Sequence, residues 1–137
     1  MERLKIQAID DNLSMVMEWV EDLIRKECTE EKTISEILIA VDELFINICH
    51  YAYEGKTGEA EFGLEILEAP KRVRLRIKDQ GIPFNPFALE DPNITLSAEE
   101  RKIGGLGIFM VKDFMDDVDY TYVDAHNVIT LEKHLEE

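Results

Sequence analysis

The sequence has no long apolar run, few cysteines and no internal repeat. No stretch approaches the roughly 18 apolar residues of a membrane span. The N-terminal segment MERLKIQAIDDN lacks the apolar centre of a secretory signal, so we expect a cytoplasmic protein with no membrane association. Cys28 and Cys49 belong to no CxxC or Cys/His pattern, which favours buried or semi-buried thiols over a disulfide or a metal site.

Cationic side chains are also scarce. The chain has 15 Lys and Arg residues against 30 Asp and Glu residues, for a formal net charge of −15 at pH 7. Such a surface repels a phosphate backbone, so we expect no direct nucleic-acid partner. A nucleotide is not excluded, because it brings its own Mg²⁺ and because local backbone N–H groups can outweigh a distant acidic surface.

The remaining composition is that of an ordinary globular protein, with 45% hydrophobic and 33% charged residues over 137 positions. This length suits one domain, residues 1–137, with one core. Strand-like alternation covers residues 2–9, and an amphipathic helix is predicted to follow a cap at residues 10–12. A second helix is predicted from Thr33 to near Gly55, because Thr33 and Glu36 match a capping box.

A hairpin follows, in which one strand carries acids and its neighbour carries bases, at residues 59–66 and 71–78. Cross-strand ion pairs on a solvated face explain this pattern better than a nucleic-acid patch. Residues 82–103 are predicted to form a long loop with a short helix around residues 97–102. A third helix and two strands, 118–123 and 127–133, complete a two-layer α/β sandwich, with three helices on one face of a mixed, mainly antiparallel sheet.

Three polar residues of the second predicted helix share one face, since Glu43, Asn47 and His50 lie at positions i, i+4 and i+7. Helices at the solvent boundary often place polar residues in this way, so an ordinary surface role stays open. A Glu and an Asn one turn apart also make a good Mg²⁺ site, where the Glu can act as a base.

Asp79 continues the inward parity of the preceding strand, so its carboxylate should point toward the apolar layer, where it needs a partner. Two interpretations remain open. Asp79 caps the sharp turn that follows, or it serves as an acceptor at the floor of an apolar slot that binds an adenine amino group.

The segment Gly104-Gly105-Leu106-Gly107 opens the third predicted helix. Glycines let a backbone approach phosphates, and the N–H groups of a helix N-terminus favour an anion. The segment lacks the Lys-Ser/Thr pair of a P-loop, and a simple glycine-rich hinge remains the alternative.

Taken together, the order and spacing of these segments resemble the GHKL ATPase superfamily, and most nearly its anti-sigma-factor serine/threonine kinases. The segment ELFINICHYAY at residues 43–53 resembles the N box of that family, and DQGIPF at 79–84 resembles its DxGxPF box. Residues 104–111, GGLGIFMV, resemble the GGLG box of that family, and residues 115–120 also follow the family pattern. Two departures are His126-Asn127 in place of a common Gly-Thr pair, and Gln80 where Asn is usual.

The resemblance implies the Bergerat ATP-binding fold and a role for each matched position. Asn47 would hold Mg²⁺ against the triphosphate, and Glu43 would be the general base. Asp79 would accept a hydrogen bond from the adenine amino group, with Gly81 permitting close approach.

The remaining implied roles belong to the phosphate end of the site. Gly104, Gly105, Leu106 and Gly107 would cradle phosphates, and residues 84–103 would form the ATP lid. Charge alone, rather than a motif match, places Arg101 and Lys102 near the γ-phosphate.

The implied function is transfer of the ATP γ-phosphate to a Ser or Thr of a STAS-type anti-anti-sigma partner. The implied partners also include a sigma factor and a second copy of the chain in a homodimer. A nucleotide-binding protein that sequesters a partner without turnover is the alternative, although the Glu43 and Asn47 pair argues against it.

Overall fold

The computed structural model describes residues 1–88 and 106–135, which form five strands and three α-helices. The elements follow the predicted order. The strands are β1 (Glu2–Gln7), β2 (Glu59–Leu67), β3 (Arg72–Asp79), β4 (Asp117–Val123) and β5 (His126–His134). The helices are α1 (Leu13–Arg25), α2 (Glu31–Asn47) and α3 (Leu106–Phe114), and a π-helical segment, Ile48–Ala52, extends α2.

The five strands form one sheet in the order β1-β2-β3-β5-β4, and each of these neighbouring pairs is antiparallel. The predicted two-layer sandwich is confirmed, but the described sheet is antiparallel throughout rather than mixed, because every neighbouring pair of strands runs in opposite directions. β3 lies at the centre, and its residues alternate strictly between buried and partly exposed positions. This alternation puts one face of the sheet against the helices and the other in solvent.

The core lies between the sheet and the helices. Phe62 of β2 packs between Trp19 of α1 and Phe45 of α2, with ring centroids 6.3 and 5.9 Å away. Tilted aromatic pairs of this kind add packing energy to the burial of the rings. α2 contacts both α1 and α3, so it forms the middle of the helical layer and its C-terminal end lies beside the sheet.

The outer face of the sheet carries the ion pairs that the hairpin pattern predicted. Arg74 lies opposite Glu65 and Lys78 opposite Glu61 across β2 and β3, with N···O distances of 3.4 and 3.6 Å. Arg74 also contacts Glu132 of β5 at 2.8 Å. These partly exposed pairs engage Arg74 and Lys78, and Arg72 pairs with Glu132 in the same way. Each such pair contributes little to stability individually.

The predicted limits of the second helix were wrong at both ends. α2 begins at Glu31, and no side-chain capping bond is present at its N-cap, Glu30. Thr33 instead lies in the first turn, where its hydroxyl donates to the Glu30 carboxylate. At the other end the α-helix stops at Asn47 and the π-helical segment stops at Ala52, before the left-handed Gly55.

None of the helices in the described ranges has both the length and the apolar character that a membrane crossing requires. Cys28 is buried, Cys49 is partly buried, and both are free thiols. The short helix predicted around residues 97–102 lies outside the described residues.

Candidate functional site

A cavity of about 130 Å³ lies between the C-terminal end of α2 and the adjoining ends of β3 and β5. Its walls are mainly apolar. They include Leu44 and Ile48 from the helical side, Ile129 from the sheet, and Ile82 and Phe84 from the segment that leaves β3. Three polar side chains, Asn47, Asp79 and Asn127, also line it. A mainly apolar cavity with a few polar groups is the usual form of a small-molecule site.

Asp79 ends β3 and points into the helical layer, as its parity predicted. The residue is only 5% exposed. Its Oδ1 accepts hydrogen bonds from the Gly81 N–H at 2.8 Å and from Asn127 Nδ2 at 3.0 Å. Both sequence interpretations therefore describe part of the arrangement, because Asp79 caps its own turn and also lines the cavity.

Burial raises the pKa of the Asp79 carboxyl above its ordinary value, since a charge in an apolar layer loses its hydration. The hydrogen bonds from Asn127 and Gly81 act in the opposite direction and favour the ionised form. The carboxylate is thus a buried acceptor whose charge depends on these two donors.

Asn127 was noted in the sequence only as a departure from a family pattern. In the structure it lies directly opposite Asp79 in the register of β3 and β5 and is 4% exposed. Its Nδ2 also donates to the Ile82 carbonyl at 2.8 Å, and its Oδ1 accepts from the Phe84 N–H at 3.1 Å and from the Tyr120 hydroxyl. The sequence signal that could have identified Asn127 as a site residue is its position at the start of the last predicted strand.

Gly81 is required by the neighbouring backbone. A Cβ at this position would lie 2.3 Å from the Ala52 carbonyl oxygen, and the N–H of Ile82 donates to that same oxygen at 2.9 Å. The end of the π-helical segment and the exit from β3 therefore touch directly, and they close the cavity on one side.

Tyr53 ties the same two segments together. Its hydroxyl accepts from the Gln80 N–H at 2.9 Å and donates to the Glu59 carbonyl at 2.5 Å. A Cβ at position 58 would lie 2.2 Å from the nearest atom of the Tyr53 ring, so the ring occupies the space that a side chain on Gly58 would need. Tyr53 thus connects the end of the π-helical segment to β2 as well as to the exit from β3.

Glu43 and Asn47 lie one turn apart in α2, on one face of the helix, as predicted. Asn47 lines the cavity, whereas Glu43 lies toward α3, where a Cβ on Gly107 would be 1.9 Å from its Oε2. Burial, followed by the negative charge of Asp42, raises the pKa of the Glu43 carboxyl. A carboxylate with a raised pKa is a better proton acceptor near neutral pH.

His50 belongs to the π-helical segment but does not line the cavity. Its Nε2 lies 3.0 Å from both carboxylate oxygens of Asp10. This exposed pair connects the π-helical segment to the turn that follows β1.

Several predicted site residues fall outside the described ranges. They are Arg101, Lys102, Gly104 and Gly105, together with residues 89–103 of the predicted lid. Leu106 is the first residue of α3, and Gly107 lies in its first turn. Of the predicted residues, the structure brings Asn47 and Asp79 to one cavity. It places Gly81 against Ala52 next to that cavity and sets Glu43 beside Gly107.

Most of the chain is similar in sequence to one family of known proteins. A family model, described as "Histidine kinase-like ATPase domain", matches residues 6–133. The serine-protein kinase RsbW of Listeria monocytogenes is 29% identical over 114 residues, which cover 77% of this chain and 72% of the relative. The serine/threonine-protein kinase BtrW of Bordetella bronchiseptica is 24% identical over 116 residues, which cover 85% and 81%.

Solved structures agree on the fold. The RsbU and RsbW domains of Rv1364c from Mycobacterium tuberculosis match with a TM-score of 0.64 at 15% identity, covering 100% of this chain but only 33% of the mycobacterial one. The SiaB-SiaC complex from Pseudomonas aeruginosa matches with a TM-score of 0.53 at 13% identity, covering 95% of this chain and 88% of the other.

Proposed function

This chain belongs to the histidine kinase-like ATPase family, and on that premise we propose that it is an ATP-dependent serine/threonine protein kinase of the anti-sigma-factor type. One observation carries the proposal: a buried carboxylate, Asp79, lines an apolar cavity beside the helix that bears Glu43 and Asn47. The names of the relatives, serine and serine/threonine kinases, support the same reaction.

The cavity suits an adenine base. Its apolar walls match the faces of a flat aromatic ring, and a carboxylate oxygen at the floor accepts a hydrogen bond from an exocyclic amino group. Gly81, two residues after Asp79, lets the exit from β3 approach the Ala52 carbonyl oxygen beside this floor. A guanine presents a carbonyl oxygen at the corresponding position, so an ionised Asp79 would repel it.

The phosphate end is proposed from α2 and the start of α3. Bound ATP with Mg²⁺ supplies the transferable phosphoryl group. Asn47 offers the hard amide oxygen that Mg²⁺ prefers, and Glu43 accepts the proton of the attacking hydroxyl. Backbone groups of Gly104, Gly105, Leu106 and Gly107 would contact phosphates.

We also propose that residues 84–103 form a lid over the phosphate end of the site. Arg101 and Lys102, near the end of that segment, would bring positive charge to the γ-phosphate. Cationic groups in this place stabilise the charge that spreads over the phosphoryl oxygens in the transition state.

The proposed phosphoacceptor is a Ser or Thr of a STAS-type anti-anti-sigma protein. A sigma factor would be the alternative partner, and phosphorylation would decide which of the two is held. The proposed working form is a cytoplasmic homodimer.

The test is transfer of label from ATP carrying γ-³²P to a STAS protein of the same organism, with Mg²⁺ and the full chain. We expect labelled Ser or Thr, and a loss of about 10²- to 10⁴-fold in rate for Glu43→Gln, which removes the proposed base. Glu18→Gln, at an exposed position of α1, is the matched control and should transfer at the normal rate.

The other outcomes separate the alternatives. ATP binding without transfer to any STAS protein would favour a nucleotide-binding regulator that sequesters its partner. A folded chain that binds no ATP at millimolar concentration would contradict the proposal entirely.

A further inference from the structure

Among the described residues, the side-chain amide of Asn127 is the most heavily hydrogen-bonded polar group that lines the cavity. It contacts three separate parts of the chain: Asp79 at the end of β3, the segment 82–84 that follows, and Tyr120 on β4. Because it is 4% exposed, water does not replace these partners readily, and each unmade bond would be costly.

The orientation of this amide is determined by its neighbours. The Ile82 carbonyl can only accept a hydrogen bond, and the Phe84 N–H can only donate one. Nδ2 must therefore face Ile82 and Asp79, and Oδ1 must face Phe84. A flipped amide would set two acceptors against each other and two donors against each other.

This orientation decides which oxygen of Asp79 is left for a ligand. Both donors that reach the carboxylate, the Gly81 N–H and Asn127 Nδ2, bind Oδ1. Within residues 1–88 and 106–135, no protein donor is found on Oδ2. Asp79 thus offers the cavity one oxygen, and its carboxylate plane is held by two bonds to the other.

The same amide holds the rim of the cavity. Ile82 and Phe84 line the cavity although they are 45% and 40% exposed. Exposed side chains on a non-repetitive segment need backbone anchors to keep one position. Asn127 supplies an anchor at each of them, through the Ile82 carbonyl and the Phe84 N–H.

From these contacts we infer, on the premise that the cavity binds ATP, that Asn127 is a positioning residue for base recognition. Its amide aims a single Asp79 oxygen at the exocyclic amino group and seats the 82–84 segment against the base. A threonine at this position carries one hydroxyl and could not make the same set of bonds.

Several titratable groups surround Asp79 and belong in any pH experiment. His126 precedes Asn127 on β5, and its positive charge favours the ionised carboxyl. The Tyr53 and Tyr120 hydroxyls face Asp79 from the other elements. A shallow polar depression next to Asp79 and His126 is lined in addition by Lys5, Glu59, Glu61 and Lys78.

The experiment measures the ATP affinity of the full chain with Mg²⁺ by calorimetry, as a function of pH. Asn127→Leu keeps the approximate side-chain size but removes both donor and acceptor. We expect its ATP affinity at pH 7.5 to fall at least about tenfold. The pH at which binding is lost on acidification should also move upward, because Asp79 loses a donor that favours its charged form.

Two control variants separate positioning from simple destabilisation. Tyr120→Phe removes one bond to Oδ1 of Asn127 but leaves its bond to Asp79, so the acid midpoint of binding should not move. His126→Gln, run in the same series, removes the neighbouring imidazole. Thermal unfolding of each variant reports whether the fold is intact.

The outcomes can be told apart. A wild-type chain that binds no ATP overturns the proposed function and this inference with it. If the wild-type chain binds ATP but the acid midpoint of binding does not move in Asn127→Leu, the inference about Asn127 is overturned and the proposed function is not. If Asn127→Leu does not fold, Asn127→Thr decides, since its single hydroxyl should give a smaller upward shift, and no shift would contradict the inference.

Discussion

The two walls of the cavity differ in how completely they are assembled. On the sheet wall, Asp79 and Asn127 are both about 95% buried and joined by a network of short hydrogen bonds. On the helix wall, Asn47 is only partly buried, as is Glu43 one turn earlier in α2, which lies toward α3 and outside the cavity lining. Neither side chain has a hydrogen-bond partner within the described part of the chain. The wall proposed for base recognition is built by the fold itself.

This difference separates two kinds of site. A buried acceptor must be paired in the folded protein, because an unpaired carboxylate in an apolar layer costs too much free energy. A base or metal ligand in the partly buried last turns of a helix carries a smaller cost and needs no partner in the nucleotide-free protein. We therefore expect substitutions on the sheet wall to change nucleotide affinity, and substitutions on the helix wall to change the rate of transfer.

The largest effect on affinity should come from Asp79→Asn. The new amide can still accept from Gly81 and Asn127, but it replaces the free acceptor with a donor. ATP affinity should fall about 10- to 150-fold, since a hydrogen bond to a charged group contributes about 1.5–3 kcal/mol. Calorimetry measures this loss, with Asp119→Asn on β4 as the matched control.

An Asp79→Asn protein that binds ATP as tightly as the wild type would show that the sheet wall does not read the base.

Gly81→Ala should damage the junction of the two walls. The added Cβ would lie 2.3 Å from the Ala52 carbonyl oxygen, and a backbone atom cannot move aside as a side chain can. We expect the free energy of unfolding to fall by about 1–3 kcal/mol, as measured by urea denaturation. Gly63→Ala is the control, since its Cβ would meet only the flexible Met1 side chain, at 3.0 Å.

Equal stability of the Gly81→Ala and Gly63→Ala proteins would mean that the contact between Ala52 and Gly81 is looser than described.

Asp79→Asn should also stabilise the nucleotide-free protein. Burial is the main cause that raises the pKa of Asp79 in the folded protein. Its ionisation equilibrium therefore contributes stability at pH values below the ordinary aspartate pKa, and this contribution is lost as the pH rises through the folded-state pKa. At pH 7.5 the neutral amide avoids this cost. An increase of a few degrees in Tm is expected, shrinking toward acidic pH.

A lower Tm for Asp79→Asn at pH 7.5 would indicate that the charged carboxylate is itself stabilising in the network.

The smallest effect concerns the helix wall. Asp42 adds to the raised pKa of Glu43 through its negative charge. Asp42→Asn should therefore lower the pKa of Glu43, and the acid limb of the transfer rate should move to lower pH by a fraction of a pH unit. Asp22→Asn, exposed on α1, controls for the change in net charge.

The prediction fails if the acid limb of the transfer rate moves to higher pH in Asp42→Asn, or moves equally in Asp42→Asn and Asp22→Asn. Either result would mean that the acid limb does not report the ionisation of Glu43.

Features with a short repeat were predictable from the sequence. Strand alternation has period two, so it correctly predicted the inward direction of Asp79 and the presence of cross-strand ion pairs in the hairpin. The individual partners, Glu61 with Lys78 and Glu65 with Arg74, are given by the structure. The order of the elements followed from the same local patterns. The resemblance added the identity of the family, which the match over residues 6–133 confirms.

Features that depend on contacts between distant segments were not predictable. The start of α2 was also missed, for a local reason: Thr33 and Glu36 fit a capping box, but the helix begins at Glu31 without a side-chain cap. The hydrogen bonds of Asn127 join it to partners 7 to 48 residues away. The individual roles of Glu43, Asn47, Asp79 and Gly81 stay predictions.

The most direct test of the central claim is a calorimetric titration of the wild-type chain with ATP and then with GTP, each with Mg²⁺ at pH 7.5. If one buried Asp79 oxygen reads an exocyclic amino group, ATP should bind at least about tenfold more tightly than GTP. Equal affinity for both nucleotides, or no binding of either at millimolar concentration, would contradict the account.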